Sequence, residues 1–598
     1  MGSEAKYSVS KAGSSKGRLL ASVFFLALIA HGLFFPAEAI TFAFVILFLF
    51  GTELFRTNRR AELPDLTDFL LLGLSGLSLL GLLQPVKAAE AWLEALRYFL
   101  YWLIYRLGLT LAEGVPLAVW VRRAGWAALF LAVAGGVPVA YFWPTTGMSA
   151  AGRLNSLFGY ANATGAFLAA VLLLPGLNPW LWPVLSLALL STGSRSAVGL
   201  LILFKAVELW QGLSKPRAGN RRTLAKGIQI SKNRKAWRSF AALLVGLLGT
   251  AALYLAGGAG FRSGWTHLFG APVFDRSWGE RLLYLQDGLT LAWRGKLLPQ
   301  AGGWLAFPLV QKIPYWTLDA HSSVIRILVN QGLPGLLWLV LWAGLWGRRL
   351  WYRLRQESTG ERLPELKAYV RVLVFLALHS LVDADFSFPV LGFFFWFLLG
   401  SLTGSLHLET MVFPGWKGRQ RGRAWGMGPG RWLRPRILFG LAFSVALVLG
   451  LGFYRSNPPG GTVAVQAATA QETAAKWEGI LHLDRTSVAA RRELAAAAFG
   501  RGDWQAGLRL VEEILSWRKF DLSAYEWAQN LVWQAVEQGQ ISKQDVQVLC
   551  AWVEGVPARI NFVAEQVPPK LRWLWAGYRE FRATPHVELL ARYARAHI

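Results

Sequence analysis

Cysteine is almost absent from this chain of 598 residues, since Cys550 is the only one. A single thiol excludes an intrachain disulfide, and it also excludes metal or redox motifs built from paired cysteines. Charge is scarce as well, because charged residues make up 16% of the chain, against roughly 25% in ordinary soluble domains. Hydrophobic residues reach 54% and include 30 tryptophans. This composition is typical of an integral membrane protein.

Acidic residues are the scarcer of the two charged types. The chain holds 62 lysines and arginines against 35 aspartates and glutamates, which gives a net charge of +27. In a soluble protein this excess would indicate nucleic-acid binding. Here the basic residues cluster in short connections between apolar segments, as the positive-inside rule predicts for membrane proteins. We therefore predict contact with membrane lipids and no nucleic-acid partner.

Apolar segments long enough to cross a bilayer recur along the first three quarters of the chain. A transmembrane helix needs about 20 such residues. The run 19–35 follows several basic residues, and the many later runs favour an uncleaved first span over a signal peptide. About thirteen spans are predicted, at 19–35, 37–55, 66–84, 91–112, 124–143, 161–176, 179–193, 196–211, 239–258, 322–347, 368–383, 388–405 and 437–454.

Basic clusters set the predicted orientation of these spans. With a cytoplasmic tail at 1–18, the clusters all fall on the cytoplasmic side, and they are 56–60, 122–123, 215–238, 348–355 and 417–436. The long connection 259–321 then lies outside the cytoplasm, as does everything after Tyr454. The sequence therefore predicts an all-α polytopic membrane bundle at 19–454, with a large external loop at 259–321 and an external helical domain at 455–598.

The external loop and the tail both have the composition of folded segments. Loops as long as 259–321 are usually functional or disordered, and this one holds too many aromatic residues for disorder. An amphipathic helix is predicted within it at 280–293. The tail has helical patterns at 488–499, 504–515, 524–537 and 542–553. Its phrase LAAAAFGRGDWQAGLRLVEEIL has the two helices and Gly-Asp turn of a tetratricopeptide-like pair.

Several ionisable residues do not belong to the basic clusters that set the predicted orientation of the spans. Such groups are costly at membrane depth, and by default they mark functional sites. Those on the predicted external side are Arg153, Arg195, Arg281, Arg294, His321, Arg326, Asp383 and Asp385. The exception is Arg97, which lies within the fourth span and is predicted to pair with Glu94.

Arginines beside a histidine have a specific chemical use. Arginine keeps its charge and presents a fork of donors that matches phosphate oxygens, while histidine accepts a proton from an attacking hydroxyl. Together they suit transfer from a membrane-embedded diphosphate, because arginines stabilise the charge that builds on the leaving group. Asp383 and Asp385 resemble a metal-binding pair, although they equally suit pairing with the arginines. We predict no metal and no cofactor.

Plainer interpretations stay open for several of these residues. Arg294 and Arg326 are equally explained as anchors to lipid headgroups. His321 also suits the start of a helix. His379, in the eleventh span, is better explained by packing inside the bundle than by catalysis.

Four stretches of the chain resemble a known family. They are RLNSLFGYANATGAFLA, STGSRSAVGLLIL, HSSVIRILVNQGLPGLLWLVLW and HSLVDADFSFPVLGFFFWFLLG. Their order and spacing over about 150–405 resemble the O-antigen ligase and polymerase superfamily, also called Wzy_C. That resemblance implies a bacterial membrane glycosyltransferase of the GT-C kind. Such enzymes build cell-surface polysaccharides by moving a glycan from undecaprenyl diphosphate to an external hydroxyl or amide acceptor, generally without metal.

The resemblance also implies roles for individual residues. His321 corresponds to the family's base or acceptor-activating histidine. Arg153 and Arg195 correspond to its arginines in the motif region. The arginine of the long loop corresponds to Arg281, with Arg276 and Arg294 as neighbouring alternatives. Arg326 completes the predicted substrate-binding set independently of the resemblance, as an external arginine that shares one helix face with Ser322 and Asn330.

The segment that follows His321 is predicted to be interrupted. Gly332, Pro334 and Gly335 break the helix, so residues 322–331 form a short half-helix before the true span. Irregular backbone at membrane depth is tolerated only where it lines protein or a water-filled cavity. His321 would then lie at the outer mouth of the tenth span, where an acceptor and a lipid-linked donor meet. The run AGGW at 301–304 resembles the family's glycine-rich stretch of the external loop.

Other functions remain as alternatives. No sequence feature identifies the acceptor as a glycan, a lipid or a protein, or separates ligation from polymerisation. A transporter or flippase of a lipid-linked solute would also explain the many spans, although transporters place polar residues near the midplane of inverted repeats. A membrane-anchored scaffold would explain the tail and leave Arg153, Arg195 and His321 unexplained.

Overall fold

The computed structural model describes most of the chain as helix. The described residues are 22–28, 30–57, 65–112, 117–134, 147–148, 153–213, 248, 276–356, 363–406, 435–457, 470–538, 542–575 and 577–597. Their only strands are the short antiparallel pair β1 (Gly147–Met148) and β2 (Leu154–Ser156). The predicted all-α class is therefore confirmed.

The helices follow one another along the chain with few long connections. After a helical segment at 22–28 come α1 (Pro36–Thr57), α2 (Leu66–Leu80), α3 (Ala88–Ala112), α4 (Leu117–Ala134), α5 (Ala161–Leu173), α6 (Leu181–Ser191), α7 (Arg195–Leu213), α8 (Arg276–Arg294), α9 (Ser323–Asn330), α10 (Gly332–Gln356), α11 (Leu363–His379), α12 (Pro389–Ser405) and α13 (Pro435–Ser456). The tail contains α14 (Ala470–Leu483), α15 (Val488–Gly500), α16 (Trp504–Trp517), α17 (Leu522–Glu537), α18 (Lys543–Glu565) and α19 (Pro585–Arg595).

Two helical segments among the described residues are long and apolar enough to cross a membrane, and they are Leu66–Leu83 and Ile437–Ser456. Four shorter apolar helices accompany them, namely Pro36–Thr52, Ala161–Leu173, Leu181–Ser191 and Pro389–Ser405. Helices of this composition favour association with a membrane. The predicted span at 239–258 lies outside the described residues, apart from Leu248.

The contact between α3 and α12 is the centre of the bundle. A Cβ added at Gly400 would lie 2.2 Å from the carbonyl oxygen of Tyr105, and one at Gly108 would lie 2.5 Å from that of Phe397. Backbones approach this closely only where small residues face each other, a pattern that is common in membrane helix pairs. Helix α12 is buried along nearly its whole length, and α3 also packs against α2 and α13. The pair therefore joins α2 and α13 to the bundle.

Buried polar contacts join the start of α2 to α3. The carboxylate of Asp65 accepts hydrogen bonds from the backbone N–H groups of Thr67 and Asp68, which caps α2. Arg106 donates two hydrogen bonds of 2.7 Å to the carboxylate of Asp68. The indole N–H of Trp102 donates to the same carboxylate at 2.7 Å. Two-pronged guanidinium pairing of this kind satisfies a buried carboxylate, so the charges are compatible with the bundle interior.

The chain is interrupted between α9 and α10, as predicted. Gly332 has a φ of +70°, and a Cβ there would lie 2.6 Å from the carbonyl oxygen of Leu297. That same carbonyl accepts a hydrogen bond of 2.8 Å from the backbone N–H of Leu333. Only glycine tolerates both the left-handed backbone and the close approach. Helix α9 is therefore the separate half-helix expected after His321.

The connection 259–321, predicted to be external and called the external loop here, is described from residue 276 onward and is folded onto α9. The predicted amphipathic helix is confirmed as α8, while residues 259–275 lie outside the described residues. Tyr284, Trp304 and Phe307 form one buried apolar cluster with Ile325 and Val329 of α9. The cluster gives the loop a core of its own, which fixes the position of α8 relative to the start of α9.

The AGGW stretch attaches the external loop to the start of α3. The carbonyl of Ala301 accepts hydrogen bonds from the backbone N–H groups of Val86 and Lys87, at 3.0 and 2.9 Å. Gly302 has a φ of +64°, and a Cβ there would lie 3.0 Å from the side chain of Glu90. The glycine therefore allows the loop backbone to lie against the end of the bundle.

The tail forms helical pairs with a separate core. Helices α15, α16, α17 and α18 confirm the helical patterns predicted for it, and their buried residues form one apolar cluster with α19. The tail also contacts the external loop. Leu283 of α8 and Ile313 share a small buried cluster with Val567 and Leu574 of the tail. The backbone N–H of Arg485 donates to the carbonyl of Val86 at 2.8 Å.

Candidate functional site

Five separate segments of the chain meet at one end of the bundle. They are the link before α5, the turn between α6 and α7, helix α8, the start of α9, and the connection 380–388 between α11 and α12. The connection 380–388 contacts both sides of the group. Its Ser380 carbonyl accepts a hydrogen bond of 2.8 Å from the backbone N–H of Ser323, at the start of α9. Three of the four stretches quoted above begin at this end, and the fourth, His379 to Gly400, contains the connection.

The carboxylate of Asp383 is the centre of the group. Its Oδ1 accepts hydrogen bonds from the hydroxyl of Tyr160 at 2.7 Å and from the backbone N–H of Ala384 at 2.9 Å. Its Oδ2 accepts from the side-chain amide of Asn162 at 2.7 Å and from Nη2 of Arg281 at 2.8 Å. Asp383 is fully buried, and a buried charge needs this number of donors.

The charge on Asp383 is stabilised by its neighbours. Burial alone would raise the pKa of the carboxyl, but the nearby His321 and the guanidinium of Arg281 hold it well below its usual range. The carboxyl therefore stays ionised at neutral pH. It supplies one fixed negative charge among several positive groups.

His321 lies beside this carboxylate in a restrained conformation. Its backbone φ is +50°, a left-handed value that is unusual for a residue other than glycine. The backbone N–H of His321 donates to Asp319 at 2.9 Å, which stabilises the turn. The imidazole ring stacks on Tyr284 of α8, with centroids 5.2 Å apart. Nδ1 lies 3.3 Å from the hydroxyl oxygen of Tyr160 and 3.7 Å from Oδ1 of Asp383.

The hydrogen-bond pattern assigns the tautomer of His321. Tyr160 has one hydroxyl hydrogen, and it points to Asp383 at 2.7 Å. The hydroxyl oxygen must therefore accept its other two contacts, from Asn162 at 3.0 Å and from Nδ1 of His321 at 3.3 Å. Nδ1 then carries the proton, and in the neutral ring the lone pair lies on Nε2. No hydrogen bond to Nε2 is formed by the residues that the structure describes.

Three of the predicted arginines surround the same centre. Arg153 donates to the side-chain oxygen of Asn162 at 2.6 Å and to the carbonyl of Thr192 at 2.8 Å. Burial lowers the pKa of Arg153, and the positive charges of Arg281 and Arg195 act in the same direction. The three guanidinium groups are therefore close enough to repel one another. Clustered guanidinium groups produce a positive potential that attracts anions to this end of the bundle.

Arg326, the fourth predicted arginine, belongs to a different cluster. It forms an ion pair with Glu94 of α3 and another, at 3.1 Å, with Asp319. Glu94 also accepts a hydrogen bond of 2.9 Å from Arg97, so the predicted Arg97–Glu94 pair is confirmed. Two carboxylates already occupy the Arg326 guanidinium, which is 13% exposed. It ties α9 to α3 rather than facing the His321 ring or the lipid headgroups. Its link to the site is indirect, since Asp319 also holds the backbone of His321.

A second histidine–carboxylate pair lies next to the first. Nδ1 of His379 lies 2.6 Å from Oδ2 of Asp385, and Nε2 lies 2.9 Å from the hydroxyl of Ser196 in α7. His379 is fully buried, which confirms the prediction that it packs inside the bundle. Asp383 and Asp385 therefore serve different histidines. The part of the chain that the structure describes contains no group of three or more histidine, cysteine, aspartate or glutamate side chains placed to hold a metal ion.

Sequence reasoning missed the residues that organise the site. Tyr160 and Asn162 lie in the same quoted stretch as Arg153, and their signal was the presence of polar side chains next to a predicted apolar helix. Asp383 was identified as an external carboxylate, yet nothing in the sequence pairs it with a tyrosine 223 residues away. Ser196 follows Arg195 directly, and its partner His379 is 183 residues distant.

The site combines an oriented imidazole with a group of arginines, and this combination suits attack by a hydroxyl on a carbon that bears an anionic leaving group. No family model and no curated protein sequence matches the chain. The function is therefore inferred from the chemistry of the site.

Proposed function

We propose that the protein is a multi-pass glycosyltransferase of a bacterial cytoplasmic membrane, similar in kind to O-antigen ligases and polymerases. It transfers a glycan from undecaprenyl diphosphate to an acceptor outside the membrane, during cell-surface polysaccharide synthesis. The acceptor is a glycan, a lipid or a protein. The observation that supports this proposal most directly is the His321 ring, held by Tyr160 and Asp383 beside three arginines.

His321 is the base in this proposal. Its Nδ1–H faces Tyr160 and the ionised Asp383, so Nε2 is left to accept a proton. The 3.7 Å separation from Asp383 is longer than a hydrogen bond, and such contacts commonly shorten when substrate binds. As the imidazole becomes positively charged, the negative charge of Asp383 stabilises it. The same arrangement of carboxylate, imidazole and hydroxyl activates nucleophiles in unrelated enzymes.

The arginines bind the diphosphate in this proposal. Arg281 is held at Asp383 and Arg153 at Asn162, so both guanidinium groups are in place before the donor arrives. Arg195 begins α7 in the tight turn after α6 and adds a third positive charge. Guanidinium groups match phosphate oxygens in geometry and keep their charge.

The bond changes follow from these positions. The acceptor oxygen attacks the anomeric carbon of the donor sugar while its proton passes to Nε2 of His321. The bond between the anomeric carbon and the phosphate oxygen breaks, and its electron pair leaves with the diphosphate. The arginines stabilise the charge that develops there, which is the larger part of the expected rate enhancement.

The proposed topology places this chemistry at the outer face of about thirteen spans. The start of α5 and the end of α6 lie together there, since Arg153 donates to the carbonyl of Thr192. Arg353 and Arg355, in the last turn of α10, then lie about 32 to 35 Å along the helix from Gly332. This separation agrees with a cytoplasmic position for the basic connections.

Reconstitution tests the proposal directly. The full chain is placed in liposomes with an undecaprenyl-diphosphate glycan and candidate acceptors, and undecaprenyl diphosphate release and the glycan product are measured. His321→Asn is the informative variant, because asparagine tolerates the left-handed backbone at this position. We expect release to fall at least 100-fold, as is typical when a general base is removed.

The matched control is His586→Asn, a histidine of the tail that lies beside Asn530. It should release undecaprenyl diphosphate at the wild-type rate. Unchanged release by His321→Asn at equal membrane abundance would contradict the proposed base. Movement of intact donor across the bilayer without any release would instead indicate a flippase.

A further inference from the structure

Ser196, His379 and Asp385 form a hydrogen-bonded series that can carry a proton. The chemistry proposed above does not use this series. Asp385 accepts a hydrogen bond from Nδ1 of His379 over 2.6 Å, and Nε2 contacts the hydroxyl of Ser196 over 2.9 Å. His379 and Asp385 are fully buried. Ser196 is half-buried, so it is the most exposed of the three residues.

This series of three residues, named here the buried relay, lies against the His321 centre. Asp383 and Asp385 are separated by one residue, and each faces its own histidine. The charged groups that act on His379 are Asp385 and Asp383 on the adjoining connection and Arg281 on α8, while Ser196 faces it from α7. The positive charge of Arg281 therefore acts on both the buried relay and the His321 centre.

The open end of the buried relay lies on the arginine side of the site. Ser196 follows Arg195 directly in the first turn of α7. The turn that precedes it is held to Arg153 through the carbonyl of Thr192. A hydroxyl at this position neighbours the groups proposed to hold the diphosphate. Nε2 of His321, by contrast, is proposed to take the proton of the acceptor.

A buried atom of Asp385 supports a role beyond simple packing. Its Oδ1 is buried and has no hydrogen-bond partner among the residues that the structure describes. Buried polar atoms are almost always paired, and exceptions cluster where function requires them. A positive charge nearby favours the ionised form of a carboxylate, so a protonated His379 at 2.6 Å would stabilise Asp385.

We propose that the buried relay is the general acid of the transfer reaction, with Ser196 as the residue that touches the departing diphosphate. This inference rests on the proposed function. When the glycosidic carbon–oxygen bond breaks, the Ser196 hydroxyl gives its proton to the phosphate oxygen that takes the electron pair. Ser196 regains a proton from Nε2 of the positively charged His379, which becomes neutral. His321 has meanwhile taken the acceptor proton, so the reaction leaves His321 protonated and His379 neutral. Proton exchange with water then returns both histidines to their starting states.

The two histidines then have opposite requirements, one neutral and one protonated. Adjacent titratable groups whose surroundings separate their protonation states are the usual basis of paired acid and base catalysis. His379 is a positioning residue that acts through Ser196. Asp385 holds the ring with Nε2 toward the serine.

The pH dependence of undecaprenyl diphosphate release distinguishes an acid from a structural role. The full chain in liposomes is assayed across the neutral range with the undecaprenyl-diphosphate glycan and acceptor. In the wild type, we expect a bell-shaped dependence of kcat, with the fall at high pH set by loss of the acid. Ser196→Ala and His379→Gln should lower kcat about 100-fold with little change in the KM for the donor, and they should lose the high-pH fall.

Two further variants keep the test decisive. Ser196→Thr retains a hydroxyl and should restore most of the activity that Ser196→Ala loses. Ser191→Ala removes the hydroxyl of a nearby serine that bonds only to its own helix, at the carbonyl of Leu187, and should behave as the wild type. If His379→Gln does not accumulate in the membrane, the comparison of Ser196→Ala with Ser196→Thr decides the outcome.

Each result has one meaning. A wild-type protein that releases no undecaprenyl diphosphate overturns the proposed function, and this inference with it. A wild-type protein that does release it, with a Ser196→Ala variant of unchanged kcat and pH dependence, overturns only the buried relay. Capture of a glycan covalently attached to Ser196 would also overturn it, since Ser196 would then be a nucleophile.

Discussion

At the scale of single residues, Asp383 explains why the site residues lie together. It accepts hydrogen bonds from Tyr160 and Asn162 at the start of α5 and from Arg281 on α8. An ionised carboxylate has only acceptors, so each of these neighbours must present a donor to it. That requirement fixes the Tyr160 hydroxyl, and the hydroxyl in turn fixes the tautomer of His321. One carboxylate therefore orients both the proposed base and one of the proposed diphosphate ligands.

Arg281 and Arg294 offer a matched comparison, because both lie on α8. Arg281 reaches Asp383 at 2.8 Å, whereas Arg294 is an exposed residue in the last turn of the helix. We expect Arg281→Ala to lower kcat/KM for the undecaprenyl-diphosphate donor roughly 10- to 100-fold, as loss of charged hydrogen bonds does. Arg294→Ala should leave it within about twofold of the wild type. Equal losses in the two variants, measured in liposomes, would show that Arg294 or general loop charge binds the donor.

The sequence identified the charged residues better than it identified their partners. Arg153, Arg281 and His321 were predicted from an unexpected charge beside apolar segments, and they do meet at Asp383. Arg326 was grouped with them because it lies on the predicted external side, on one helix face with Ser322 and Asn330. Its partner Glu94 is 232 residues away in α3, and no local pattern predicts a pairing over that distance.

At the scale of helices, apolar composition overestimates helix length in the α5–α6 region. Spans were predicted at 161–176 and 179–193, yet the helices contain 13 and 11 residues. Pro175, Gly176 with a φ of +75°, and Pro179 separate them, since proline and left-handed glycine end helices. At roughly 1.5 Å per residue, each helix is shorter than the ~30 Å hydrocarbon core. Because the two are consecutive, the side assigned to every later connection is unchanged.

The close contact of α3 and α12 predicts a position-specific response to added volume. Gly400→Ala places a Cβ against the carbonyl oxygen of Tyr105, and backbone there has little freedom to move. We expect a loss of about 2 kcal/mol or more in the free energy of unfolding, as for other overpacked interiors. Gly440→Ala in α13 meets nothing within 4 Å, and it should stabilise slightly through helix propensity. Thermal unfolding in detergent measures both, and equal transitions would contradict the proposed tight contact.

At the scale of the whole molecule, Asp287 lies where the external loop meets the tail. It accepts a hydrogen bond of 2.5 Å from the hydroxyl of Tyr315. Burial raises the pKa of Asp287 from 3.8 to about 6, although Tyr315, Lys312 and Lys519 of the tail oppose the increase. Between these two values the folded state binds the proton more tightly than the unfolded state. The free energy of unfolding should therefore decrease as the pH rises from about 4 to about 6.

Asp287→Asn provides the test of this pH dependence. The amide keeps an acceptor for Tyr315 and cannot ionise, so the variant should lose this component of the pH dependence. The pH-dependent difference between variant and wild type should reach about 3 kcal/mol well above pH 6 and fall below about 1 kcal/mol at pH 4. It is measured as the shift in thermal transition across that range. A constant difference at all pH values would assign the ionisation to another group.

The tail contacts the helix that carries Arg281, so its attachment should influence the site. Leu574 is buried against α8, and a Cβ added at Gly279, two residues before Arg281, would lie 2.7 Å from its side chain. Leu574→Asp places a charge in this apolar contact and should free α8 from the tail. We expect kcat for undecaprenyl diphosphate release to fall about tenfold, or ~1.4 kcal/mol, with faster hydrogen exchange in α8.

Leu589→Asp is the control for this change, since Leu589 is 50% exposed on α19 of the same tail. It adds the same charge without entering the contact, so transfer and exchange should match the wild type. If Leu574→Asp also leaves both unchanged, the tail is a separate module and does not position α8. If instead exchange rises in α8 while kcat stays constant, Arg281 is held by Asp383 alone. Slower release together with faster exchange would mean that the position of Arg281 depends on the packing of the tail as well as on its ion pair.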